Sequence, residues 1–371
     1  VSVRRYAAGV GLTLALLAGA VACSGDDPGP TASSPAESPD VTAPAASDLP
    51  EPGTAEDPAP VEPVAEPLEW TDVGGVGEET VTAGAAYTVR LPVGGRRAEL
   101  EGPEGGTFTA PSGYRWSQAL LDEDHAVLVA QEETETRPAH AVVVDLADGS
   151  TRTLDGDADP ATTNGGTWAL GQGVVLHATY GPRREYCLAE VDLGTGEGRT
   201  TYCAEPGTGF NEARVTPEGV SLLTFDSGTP SCRTVVEVDD TSAQPFPGVP
   251  GCTAWEGLLL PDGAAWTVVP RETRIERSVV RARVGDGWYD LGPALSGSLV
   301  WCDGAAWFSQ DQETGTGPAR VLRWDGAALQ AVLEVGDGGP ASVSAPRCGG
   351  DGLAVSVLAE TGDQQLVAPL G

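Results

Sequence analysis

The sequence predicts an all-β fold assembled from repeating four-stranded units, on three observations. Six short segments share one pattern, an acidic or amide residue followed by Gly or His and then an alternating apolar run: DHAVLVA, QGVVLHA, EGVSLLT, DGAAWTV, DGAAWFS and DGLAVSV. Their second positions, His125, Gly173, Gly219, Gly263, Gly304 and Gly352, are spaced 48, 46, 44, 41 and 48 residues apart. A second series follows about 20 residues on, in VVVDLADGSTRTL, LAEVDLGTGEGRTTY, VVEVDDTSAQPF, RARVGDGWYDL and RVLRWDGAALQAVL. Each reads strand, turn, strand, because alternating apolar residues bury one face of a strand and Asp-Gly favours a tight hairpin turn.

Two hairpins in every 45 or so residues make four strands per repeat. In that period and content the chain resembles a β-propeller over residues 113–371. No regular Gly-His to Trp-Asp pairing points to a subfamily, and a β-sandwich would need six recurrences in register by coincidence. The sixth repeat stops one strand short, at QQLVAPLG, while AAYTVRLPVGGRRAELEG near the other end has strand character without a first hairpin of its own. The expectation is a propeller of six four-stranded blades, seven being the alternative, with the ring closed by an N-terminal strand. Three residues beyond each repeat position stand Leu128, Leu176, Leu222, Trp266, Trp307 and Val355, which are expected in the core between blades.

Residues 1–23 read as a sorting signal. Arg4 and Arg5 form a basic start, Ala7–Ala22 is apolar without a charge, and small residues lead into Cys23. The apolar run is short for a membrane span, which takes about 20 residues. Ala20-Val21-Ala22-Cys23 resembles the lipobox of bacterial lipoproteins, and the absence of Lys and Met beside abundant Ala, Gly, Val and Pro suits a GC-rich, actinobacterial-type genome. The resemblance implies that Cys23 is acylated and anchors the protein to the outer face of the cell membrane, where more than one acyl chain gives stable attachment.

Residues 24–67 hold almost only Pro, Ala, Ser, Thr, Gly and acids, with no aromatic residue to bury. They are expected to form a disordered tether. Residues 68–371 then make up the propeller domain. The tether takes ten of the 54 acidic residues and the signal two of the 21 basic ones, which leaves the domain at a formal charge of −25. So acidic a domain is a poor partner for nucleic acid. A neutral or basic protein or glycan is the expected partner, and a monomer the expected state.

With Cys23 given to lipid, six cysteines remain in an exported chain, and hairpin register selects among their pairings. Thr195 lies midway between Cys187 and Cys203, and Ser242 midway between Cys232 and Cys252, each in a predicted turn. Those two pairs should face one another across hairpins. Cys302 and Cys348 remain, one repeat apart, and should link adjacent blades.

Catalytic chemistry is not written in the spacing. His125, His140 and His177 are the only histidines, no G-x-S-x-G elbow occurs, and no C-x-x-C or paired-His spacing points to a metal. Asp155, Asp157 and Asp159 occupy positions 1, 3 and 5 of a calcium-type loop, but Pro160 and Gly166 stand where Gly and Glu are needed. No cofactor is expected. Trp116, Trp168, Trp255 and Trp301 precede the aligned hairpins, in the stretch expected to form innermost strands. Together with Arg214 and Arg347 they are the candidate binding residues at one mouth of the channel. The function expected is a lipid-anchored binding module; the alternative is an exported hydrolase or lyase acting on polysaccharide.

Overall fold

The computed structural model describes residues 59–64, 67–271, 274–312, 317–336 and 339–371. The predicted signal, Cys23 and most of the predicted tether lie outside them. Five sheets are discrete blades, each an antiparallel meander of four consecutive strands. Blade I runs through Tyr114–Leu121, His125–Glu132, His140–Asp145 and Thr151–Leu154. Blade II comprises Trp168–Gly171, Val174–Tyr180, Tyr186–Asp192 and Gly198–Cys203. Blade III comprises Thr208–Thr216, Gly219–Asp226, Arg233–Asp239 and Ser242–Pro245. Blade IV is Ala254–Leu260, Gly263–Val268, Val279–Val284 and Gly287–Pro293. Blade V is Val300–Cys302, Ala305–Gln310, Ala319–Trp324 and Leu329–Val335, to which Val61–Pro63 adds a parallel fifth strand.

Each second strand falls on one of the predicted repeats, and its alternation buries both faces. In blade I, Leu128 packs toward Val89 and Leu100, whereas Val127 and Val129 pack toward Trp168 and Val175 of blade II. The shared apolar position is buried throughout: Leu128, Leu176, Leu222, Trp266, Trp307 and Val355 are all at most 1% exposed. Burying one such side chain is worth roughly 1.5–3 kcal/mol, so the apolar layers between neighbouring sheets hold the blades together.

The remaining strands form one composite sheet. Its order is Thr71–Asp72, Gln364–Pro369, Gly352–Ala359, Arg347–Cys348, Glu79–Ala83, Thr88–Pro92, Arg97–Glu101 and Gly106–Thr109, with Ala341–Val343 beside Gly352–Ala359. The two halves meet where Cys348 pairs in parallel with Ala83. Glycines permit that approach, since a Cβ on Gly349 would stand 2.4 Å from Ala83 O and one on Gly84 2.4 Å from Gly349 O. The expectation of six blades, or seven, closed by an N-terminal strand is therefore corrected. Five four-stranded blades stand as separate sheets, and in place of a lone closing strand the N-terminal segment brings a whole meander, Glu79–Thr109. Its first hairpin is hidden because Gly84–Tyr87 turns the chain without the acidic or amide residue followed by Gly or His that marks the other repeats.

All three predicted disulfides are present. Cys187 and Cys203 sit directly opposite in blade II, with Cα atoms 4.0 Å apart. Cys232–Cys252 has a Cα separation of 4.1 Å, and Cys302–Cys348 one of 5.7 Å. The last joins the first strand of blade V to the composite sheet.

Candidate functional site

Strand direction alternates within a meander, so the connections after the second and fourth strands open on one face of the ring. On that face the connection after Asp226 in blade III, the one after Pro245, and the one after Val268 in blade IV surround a groove of about 660 Å³. It is lined by Thr229–Arg233, Cys252–Trp255 and Val269–Arg271. The Cys232–Cys252 bond joins two of its walls. A volume of this size falls in the range of small-ligand and short-peptide sites.

Trp255 is positioned by a β-bulge. Ala254 pairs with Val268 and Glu256 with Thr267, which leaves Trp255 as an extra residue without a cross-strand partner. Bulges re-aim side chains, and this one turns a half-buried indole to the groove. The Arg233 guanidinium lies 5.0 Å from the Trp255 ring centroid, a cation–π contact that brings a positive charge to the same wall. Arg271, exposed, stands on another wall.

The next residue fixes the bulge from behind. Glu256 is 1% exposed, and its Oε1 accepts from Thr267 Oγ1 at 2.9 Å and from Gly297 N–H at 2.9 Å. Its Oε2 accepts from Leu299 N–H at 3.3 Å and stands 3.6 Å from Arg214 Nη2. Burial pushes the carboxyl up to about 7, against the lowering by Arg214 and Thr267. Arg214 also donates to Glu212 Oε2 at 2.9 Å and to Leu299 O at 3.4 Å. Glu212 itself has φ +50 within a bulge of the first strand of blade III. This network ties the first strands of blades III and IV to the lead-in of blade V.

The six residues nominated from sequence do not share one surface. Trp116 and Trp168 are 5% and 4% exposed and belong to apolar layers, Trp168 with its ring 5.1 Å from His177. Trp301 is half-buried against the layer between blades IV and V. Arg214 is committed to the Glu256 network. Arg347 lies in the composite sheet, where Nε donates to Val81 O at 2.6 Å and burial lowers its pKa to about 10. Only Trp255 lines the groove. Arg233 and Arg271 escaped sequence reading because no period marks them, although the pairing of Cys232 with Cys252 already placed two of the walls side by side.

The histidines are dispersed. His177 is buried, its pKa lowered by desolvation. His125 Nδ1 lies 3.8 Å from Asp122 and His140 Nδ1 lies 3.6 Å from Asp155. Among the described residues no Ser–His hydrogen bond occurs, and no three His, Cys, Asp or Glu side chains converge on a metal position. Among the described residues, the groove lining contains no carboxylate.

No protein-family model and no curated protein matches the chain. Solved structures do. The chain is similar to the β-propeller domain of the Trilobed protease from Pyrococcus furiosus, which has an open velcro topology, with a TM-score of 0.53 and 9% identity over 82% of this chain and 98% of that one. It is also similar to prolyl endopeptidases, with a TM-score of 0.54 and 14% identity over 78% of this chain but only 46% of that one. The acylaminoacyl peptidase of Pyrococcus horikoshii aligns with a TM-score of 0.46 and 11% identity, covering 70% of this chain and 46% of that one. At such identities the first two likenesses establish the fold: the chain is an all-β propeller.

Proposed function

We propose that this chain is a binding propeller, lipid-anchored outside the cell membrane through Cys23, that takes a protein or glycan partner in the groove beside Trp255. The observation that carries the reading is the bulge that presents Trp255, with Arg233 over its ring, in a walled groove. Propellers host both binding and catalysis, so the fold does not decide between them and the groove must. An aromatic ring held by its backbone loses little entropy on contact, which suits a binding anchor.

Two measurements test this reading. Binding of the full chain to extracellular proteins and to neutral glycans should weaken by about 2 kcal/mol or more in Trp255→Ala, the cost expected of an anchor residue, while Trp255→Phe retains part of it. Undiminished binding in a folded Trp255→Ala variant would remove the groove from consideration. For the anchor, Cys23→Ser should shift the protein from the membrane fraction to the medium with its thermal unfolding unchanged. Continued membrane association would refute lipidation at Cys23.

A further inference from the structure

The three disulfides differ in their surroundings. Cys187, Cys203, Cys302 and Cys348 all stand within strands, and each of those two bonds has one fully buried end, Cys187 or Cys302. Cys232–Cys252 has both ends in loops, Cys232 just before the strand Arg233–Asp239 and Cys252 shortly before Ala254–Leu260. Cys252 is exposed, Cys232 is half-buried, and both line the groove. A thiolate exchanges only with a disulfide it can reach, and of the three this one is open to approach.

The two ends are also held differently. On the Cys232 side, Asp226 Oδ1 accepts from Gly228 N–H at 3.0 Å and from Cys232 N–H at 2.8 Å. On the other side, Pro250–Cys252 makes no hydrogen bond to another element among the described residues; its one bond is local, from Thr253 Oγ1 to Pro250 O. Val249 before this stretch is buried, and Thr253 after it accepts from Val269 N–H at 2.8 Å. The disulfide is therefore the latch of the wall that leads into Trp255. Cys252 itself has φ +67, a left-handed conformation unfavourable for a residue with a side chain, so relaxing that turn favours the opened bond.

We propose that Cys232–Cys252 is a thiol-exchange site, through which an exported dithiol releases the groove wall beside Trp255. This rests on the groove being the recognition site, whose shape the released wall alters. One thiolate of the reductant attacks Cys252 Sγ, the S–S bond breaks, and Cys232 leaves as a thiolate that takes up a proton. The second thiolate then attacks the reductant's own sulfur in the mixed disulfide and frees Cys252, which is protonated in turn. Two electrons and two protons pass to the protein, and the reductant leaves as its disulfide. Glu256 still holds the bulge from behind, so the change is confined to the wall.

The test is a dithiothreitol titration of the folded full chain, with iodoacetamide trapping and peptide mapping. Cys232 and Cys252 should be labelled at a reductant concentration at least tenfold below that needed for the other two pairs. At that point amide hydrogen exchange at Gly251–Thr253 should quicken at least tenfold. Acrylamide quenching of Trp255, taken as the difference between the native chain and Trp255→Phe, should change while far-UV circular dichroism does not. Cys232→Ser with Cys252→Ser should show the same exchange and quenching without reductant. Equal resistance of all three disulfides overturns the inference, and so does selective reduction that leaves exchange at Gly251–Thr253 and quenching of Trp255 unchanged. Neither readout needs a bound partner, so these failures leave the groove as the recognition site; undiminished binding in Trp255→Ala defeats that reading instead, whatever the order of reduction.

Discussion

Replacing Glu256 with Ala should lower the unfolding free energy by about 3–5 kcal/mol, the cost of removing one partner from a buried, hydrogen-bonded charge. The substitution leaves the N–H groups of Gly297 and Leu299 without their acceptor and removes the buried carboxylate beside Arg214, which keeps its bond to Glu212. Glu256→Gln keeps an acceptor and should be milder, but it should change the dependence on pH. The carboxyl stands at about 7 in the folded protein, and near 4.3 in an unfolded chain. Between those values the folded state holds a proton that the unfolded state has released, so this group's contribution is fully present at low pH and is lost as pH rises toward and through 7. The full span is on the order of 3 kcal/mol. Chemical denaturation at pH 4.5 and pH 8 measures it as the difference between the native chain and Glu256→Gln. Parallel profiles for the two would show that Glu256 does not titrate in this window.

The second large effect belongs to Cys302–Cys348. Among the three disulfides it closes the longest loop, 46 residues against 16 and 20, and chain-entropy arguments assign such a loop about 4 kcal/mol. It also crosses between sheets, whereas Cys187–Cys203 lies within blade II and Cys232–Cys252 joins two walls of the groove. Cys302→Ser with Cys348→Ser should therefore cost about 4 kcal/mol, and more than the loss of Cys187–Cys203, which spans strands already paired. Denaturation of the two double variants side by side gives the comparison; equal losses would mean that the link between blade V and the composite sheet adds nothing beyond local closure.

Sequence made the blades legible wherever a turn was encoded by an acidic or amide residue followed by Gly or His. His125, Gly173, Gly219, Gly263, Gly304 and Gly352 each open or directly precede a second strand. The disulfides followed from the same register. What failed was counting and aiming. The meander Glu79–Thr109 lacks the signature turn, so periodicity passed it over and the sheet count came out wrong. The channel-mouth cluster failed for another reason, since position along a strand gives the face a tryptophan occupies only if the pairing is regular. Trp255 lies at a bulge, where one extra residue reverses the alternation, and Trp116 and Trp168 face apolar layers. Glu256 was one acid among 54 until burial and four polar neighbours set it apart.

Val61–Pro63 bears on solubility as well as on architecture. A blade's outermost strand leaves one row of backbone N–H and C=O groups open to any other extended chain, which is how sheets come to aggregate. Blade III limits this with a four-residue outer strand that ends in Pro245, but blade V ends in seven residues, Leu329–Val335, with few charges among them. The parallel segment occupies that edge at Leu329, Gln330 and Ala331. A strand of only three residues that ends in proline offers little further edge, because short strands and proline both limit edge pairing, so the segment covers part of the blade without adding a long new edge.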